Sequence, residues 1–190
     1  MGAESASGAG VHATALVYGE CGLLLFGPSG AGKSALALAL LALGERSRVF
    51  AALIGDDRAY LRSWRGRLIV SGAPQTAGLI ERRAIGLVTV AHEPSAVVRL
   101  TVELSGRDRN WPRMPDAESS MSLIGITVPL VRINSNVSAM DQSLAIADCL
   151  ERMTLSSSGG KRIPLEQCPA VHKNRKVAAS PPLNEERTVD

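Results

Sequence analysis

The residues with the most specific chemistry are Gly27-Pro28-Ser29-Gly30-Ala31-Gly32-Lys33-Ser34. They satisfy every fixed position of the phosphate-binding pattern G-x-x-x-x-G-K-[ST]. In such a loop the glycines let backbone N–H groups curl around phosphate oxygens with no Cβ in the way. Lys33 would reach the outer phosphates, and the Ser34 hydroxyl would bind Mg²⁺. Lys33 is the only lysine before residue 161, and lysine is the usual point charge for this task. A glycine-rich turn ahead of an ordinary helix would not need all of these positions filled at once.

A second group of chemically capable residues is acidic. Asp56 and Asp57 follow an apolar run downstream of the loop. An acid in that place can hold Mg²⁺ or its waters, and a neighbouring acid can take the proton from an attacking hydroxyl. The plain alternative is a turn with two solvated carboxylates. Glu81, ahead of Arg82 and Arg83, reads by itself as a surface acid. His12 reads by itself as a structural strand histidine, and Arg113 in a polar loop is one arginine among many, able to clamp phosphate oxygens.

These residues need elements to position them. Leu23-Leu24-Leu25-Phe26 is a short apolar run that predicts a buried strand leading into the loop. The Ala/Leu stretch from Ala35 to Leu43 predicts a helix leading out, opening near Lys33 and ended by Gly44. That helix is apolar on every side, which predicts full burial. Helix start and glycine loop together make an anion site. Val11–Tyr18 predicts a strand, turned at 19–22 into the loop strand as a hairpin. Val49–Ile54 predicts a further strand lying beside the loop strand, so that Asp57 at its end would face the γ-phosphate. Ala59–Trp64 and Leu68–Val70 predict a second hairpin, Ala96–Leu104 a β-branched strand, and Ser122–Ile133 one or two strands interrupted by Gly125 and Pro129. Ser138 with Asp141 opens a helix to about Met153, with Met140, Leu144, Ala147 and Leu150 on its apolar stripe. Two hairpins suit a mixed sheet better than an all-parallel one.

Composition bounds the rest. The chain has 190 residues, 45% of them hydrophobic but only 3% aromatic, enough for one domain with a core of Leu, Val, Ile and Ala. Residues 1–10 are small and polar, and 155–190 are rich in Ser, Pro and charge, so both are expected to be disordered around a domain at 11–154. The net charge is +3, of which the 155–190 tail supplies +2, so no basic face for nucleic acid is expected. Cys21, Cys149 and Cys168 are scattered, as are His12, His92 and His172. This predicts reduced thiols in a cytoplasmic protein and no zinc site. No signal peptide and no membrane-crossing run are expected.

From about Val11 to Met153 the chain resembles the catalytic domain of the HPr kinase/phosphorylase family. The resemblance rests on His12 ahead of the loop, the loop itself, Gly55-Asp56-Asp57-Arg58, and Leu79–Gly86, which is similar to the family's L-E-x-R-G-x-G signature. It implies an α/β P-loop domain with a mixed sheet, similar to the nucleotide domain of phosphoenolpyruvate carboxykinase. It implies ATP and Mg²⁺ as cofactors, a serine of HPr or an HPr-like phosphocarrier protein as substrate, and a homo-oligomer, hexameric in the family. Lys33 would contact phosphate, Ser34, Asp56 and Glu81 would serve the metal, and Asp57 would be the base. His12 would support the site, and Arg113 would match the catalytic arginine. Little precedes His12, so the likeness is to short forms found in alphaproteobacteria. Ala84 stands at a signature glycine and Arg82 at an apolar position. Residues 129–134 match only part of the stretch tied to removing phosphate, so kinase activity is the safer carry-over and reverse phosphorylase activity is left open. A small-molecule kinase or NTPase, and a nucleotide-gated module without transfer activity, are the competing readings.

Overall fold

The computed structural model describes residues 8–105 and 119–157. Eleven strands and two helices run in the order β1 (Ala9–Val11), β2 (Thr14–Tyr18), β3 (Cys21–Phe26), α1 (Lys33–Ser47), β4 (Ala51–Gly55), β5 (Ala59–Trp64), β6 (Arg67–Gly72), β7 (Leu79–Arg82), β8 (Gly86–Thr89), β9 (Ser95–Ser105), β10 (Ser120–Leu123), β11 (Ile126–Asn134) and α2 (Ala139–Ser157). Nine strands form one mixed sheet ordered β1-β5-β6-β9-β3-β2-β4, with β11 also on β9 and β10 on β11. The expected α/β domain with a mixed sheet is what the chain adopts.

The sheet is two limbs joined by one long strand. The start of β9 pairs antiparallel with β6, while its remainder pairs parallel with β3 on one side and β11 on the other. Period-two alternation divides the side chains between two cores. Leu16, Leu23, Leu25, Leu53, Leu100, Val102 and Leu104 face the helices and meet Leu36 and Leu40 of α1 and Ile146 and Leu150 of α2. Ala15, Val17, Leu24, Ala52, Ile54 and Val98 face the other way, against Ala59, Leu61, Leu68 and Val70 of the second limb. The sheet therefore curls over its own inner face. The ends of β6 and β4 meet so closely that a Cβ on Gly72 would overlap the carbonyl oxygen of Ile54. Backbone cannot step aside as a flexible side chain can. We expect Gly72→Ala to destabilise the domain by about 1–3 kcal/mol or more, read from urea or thermal unfolding. An unchanged midpoint would mean the curl is looser than described.

Several local expectations are corrected by the packing. Val11–Tyr18 is not one strand. It breaks at His12-Ala13, because β1 pairs with β5 in one limb and β2 with β3 and β4 in the other. The first strand begins at Ala9, inside the segment expected to be irregular. Gly44 does not end α1, which continues to Ser47 and closes at Arg48. Gly44 is buried where a Cβ would press on Ala51 Cβ and Val49 O, so closeness to β4 explains the glycine. The helix buries Lys33, Leu36, Ala37, Leu40 and Gly44, one stripe, while the rest is half-covered or exposed. An all-apolar composition cannot say which side is covered.

The expected capping at the start of α2 is present. Ser138 Oγ accepts from the Asp141 N–H at 3.2 Å and donates to its carboxylate at 2.7 Å. The expected apolar stripe is rotated. Met140 and Leu144 are exposed, and the buried face is Gln142, Ser143, Ile146, Cys149 and Leu150. Buried Gln142 satisfies its amide on the Asn134 and Val137 carbonyls at 3.2 and 2.9 Å, which lets a polar residue take a core position. The helix also runs to Ser157, past the expected boundary at 154.

Leu79–Gly86 opens a separate two-stranded hairpin, β7–β8. Ala84, at its turn, has φ 66. That conformation suits glycine and costs an L-residue about 1–2 kcal/mol. We expect Ala84→Gly to stabilise the domain by a net ~0.5–1 kcal/mol after the added unfolded-state entropy. A lowered Tm would count against this turn geometry.

Cys21 and Cys149 are buried and not in disulfides. Burial pushes the Cys21 thiol up, with nearby Arg99 pulling the other way and Glu20 adding to the rise. It is therefore an unreactive, protonated thiol. Among the described residues no helix is long and apolar enough to cross a membrane.

Candidate active site

The glycine loop, residues 27–32, lies between β3 and α1, as expected. Gly27, Gly30 and Gly32 all have positive φ, the conformations that turn the loop back on itself. The first N–H groups of α1 have no acceptor within the helix and face the loop. Lys33, 5% exposed, folds back over the loop and donates to the carbonyls of Gly27 and Pro28 at 3.0 and 3.3 Å.

The acidic pair arrives by a route the sequence did not predict. β4 does not lie beside β3, because the β2–β3 hairpin places β2 between them. β2 is antiparallel to both, so β3 and β4 run the same way and end on the same edge, where β2 begins. Asp56 therefore reaches the loop across the start of β2. Its Oδ1 accepts from Thr14 Oγ1 at 2.6 Å and from Ser34 Oγ at 3.1 Å. Its Oδ2 accepts the backbone N–H of Glu81 at 3.4 Å. Glu81 is thus beside Asp56, with its own side chain exposed.

His12 and Asp57 lie at the seam between the limbs. The chain crosses once from β1 to β2 through His12 and back from β4 to β5 through Asp56-Asp57-Arg58. The flanking pairs, Val11 with Ala59 and Ala15 with Gly55, hold the two crossings opposite each other. His12 Nδ1 is 3.0 Å from the Asp57 carbonyl oxygen. A carbonyl only accepts, so Nδ1 carries the proton and Nε2 presents its lone pair to Lys33 Nζ, 3.4 Å away. Asp57 itself has φ 61 and is exposed. It lines a cleft of about 300 Å³ with Gly10, Val11, His12 and Arg58. Among the described residues no hydrogen bond or ion pair occupies its carboxylate, so it is available to an incoming group.

Lys33, Ser34, Asp56 and His12 thus meet at one edge of the sheet, with the backbones of Asp57 and Glu81 against them. Arg113 lies outside the described residues. Arg132, in the stretch compared above with phosphate removal, pairs with Glu103 at 3.0 Å. Sequence reading missed Thr14. A hydroxyl that falls in step with Leu16 and Tyr18, two residues after His12, was the available signal.

The donors suit Mg²⁺. The Ser34 and Thr14 hydroxyls and the Asp56 carboxylate are hard oxygens on one another's doorstep. Among the described residues no cluster of three or more His, Cys, Asp or Glu is found. Mg²⁺ is commonly held by one or two carboxylates plus substrate phosphates, and Ser34 with Asp56 matches that need.

Comparison with known proteins places the chain in a family. The family model of the HPr serine kinase C-terminal domain matches residues 3–159. The HPr kinase/phosphorylase of Clostridium botulinum (strain Eklund 17B / Type B) is 29% identical over 150 residues, covering 72% of this chain and 47% of that protein. The protein of the same name from Chlorobium phaeobacteroides (strain BS1) is 32% identical over 130 residues, covering 63% of this chain and 36% of its own length. The chain spans less than half the length of these relatives. The solved Hpr(Ser) kinase/phosphatase from Coxiella burnetii superposes with a TM-score of 0.65 at 25% identity, over 80% of this chain and 99% of that one. In sequence and fold the chain belongs to the HPr serine kinase C-terminal domain family.

Proposed function

We propose that this domain is an ATP- and Mg²⁺-dependent protein-serine kinase acting on HPr or an HPr-like phosphocarrier protein. The observation that carries the reading is the bond of Ser34, just past the glycine loop, to Asp56, with Asp57 next in the chain, its carboxylate partner-free among the described residues, lining a cleft beside His12. The family membership supports the substrate class.

The chemistry follows from the groups present. The loop N–H groups and Lys33 would hold and neutralise the outer phosphates. Mg²⁺, when bound, would be held by Ser34 and Asp56 and would offset phosphate charge. A serine hydroxyl entering the cleft beside His12 would lose its proton to Asp57 as its oxygen bonds to the γ-phosphorus. The bond from that phosphorus to the β–γ bridging oxygen breaks, and ADP leaves. His12 would steer Lys33 and the Asp57 backbone. Glu81 would add a carboxylate near the metal, and Arg113 a cation. Cytoplasmic location and a homo-oligomeric state belong to the same reading.

The test is incubation with γ-labelled ATP, Mg²⁺ and a panel of purified phosphocarriers. Label on a phosphocarrier serine is expected. ATP hydrolysis without protein labelling would favour a small-molecule kinase or NTPase, and nucleotide binding without turnover a regulatory module.

A further inference from the structure

Thr14 is a buried polar residue on a strand that is otherwise apolar, and it is 0% exposed. A buried hydroxyl needs a partner. This one takes the carboxylate of Asp56, at 2.6 Å, shorter than the contact from Ser34 at 3.1 Å to the same oxygen. Asp56 is bonded to two rigid elements and one hairpin. Thr14 belongs to β2, Ser34 to the first turn of α1, and the Glu81 N–H to β7. Of the two hydroxyls on Oδ1, only that of Thr14 is fixed in a strand hydrogen-bonded on both sides.

We propose that Thr14 is a positioning residue for the metal end of the site, and this rests on the kinase reading above. Its hydroxyl holds Oδ1 of Asp56 where Ser34 must donate to it. With the Ser34 proton spent on Asp56, the Ser34 lone pairs are left to serve a Mg²⁺ ion. Without Thr14 the carboxylate can rotate about its χ angles and the Ser34 hydroxyl can turn with it. Outer partners of this kind typically change metal affinity by ~10–100-fold when removed.

The experiment compares wild type with Thr14→Val, Thr14→Ala and Thr14→Ser. ATP affinity is titrated in EDTA and again across a Mg²⁺ series, and Mn²⁺ binding to the protein–nucleotide complex is followed by electron paramagnetic resonance. Thr14→Val is expected to raise the Mg²⁺ or Mn²⁺ concentration for half-saturation by ~10–100-fold. Its affinity for ATP in EDTA should move far less, and Thr14→Ser should restore most of the loss. In an Asp56→Asn background, Thr14→Val should add little, because the partner it positions is already altered. Thr14→Ala serves the same comparison should the valine variant not fold. Equal loss in EDTA and in Mg²⁺ would make Thr14 merely structural and overturn the proposal. So would wild-type metal dependence in the valine or alanine variant. A wild type whose ATP affinity ignores Mg²⁺ would sink the kinase reading itself, and the positioning role with it.

Discussion

Lys33→Ala is expected to abolish nucleotide-dependent transfer while leaving the domain folded. Lys33 is the one ammonium in the phosphate loop, and its Nζ lies on the Gly27 and Pro28 carbonyls and 3.4 Å from His12 Nε2. None of these is a core contact. Pro28 is exposed and Gly27 half-buried, so water can satisfy the carbonyls that the lysine leaves. What cannot be replaced is a fixed positive charge where phosphate charge develops. Losing one preorganised donor of that kind typically costs ~10²–10³ in rate, and here ground-state phosphate binding is lost as well. Single-turnover transfer should therefore fall by at least about 10²-fold, with weaker ATP affinity in titration and a nearly unchanged Tm. Near wild-type transfer by the alanine variant would show that the phosphates bind elsewhere.

Asp57→Asn should separate binding from chemistry. Asp57 sits at positive φ, 61, a conformation that asparagine adopts at least as readily as aspartate. The Asp57 carbonyl, which accepts from His12, is untouched by the change. The backbone and the cleft should survive, and ATP·Mg²⁺ should still bind. The amide cannot take the serine proton, and a positioned carboxylate base is typically worth ~10²–10⁴ in rate. Transfer in single turnover is expected to drop by that range. Asp56→Asn should behave differently. The Asp56 carboxylate accepts from Thr14, Ser34 and the Glu81 N–H, so an amide in its place loses acceptor capacity at the metal. Its defect should appear in Mg²⁺ dependence as well as in rate. If Asp57→Asn kept more than about a tenth of wild-type transfer, well inside the expected loss, Asp57 would not be the base.

By itself the sequence determined those parts whose physics is local. The phosphate loop is one continuous stretch with fixed spacing, so its strand, glycines, Lys33 and Ser34 were legible without any partner. The same holds for the hairpins at Ala59–Gly72 and Thr14–Phe26 and for the Ser138–Asp141 cap, where a turn or a three-residue spacing decides the outcome. A mixed sheet followed from counting hairpins. Tertiary structure decided what depends on residues far apart in the chain. Whether β4 touches β3 or stands across β2 is a pairing choice that apolar strands do not encode singly, since each is buried on both faces. The break at His12 exists only because β1 and β2 join different limbs. The rotation of α2, which exposes Met140 and Leu144 and buries Gln142 and Ser143, depends on which carbonyls await at Asn134 and Val137. The site itself is of this second kind. His12, Thr14, Ser34, Asp56 and Glu81 span about seventy residues of chain. They meet because two crossings between the limbs, held by the pairs Val11–Ala59 and Ala15–Gly55, bring short polar segments to the end of the phosphate-loop strand.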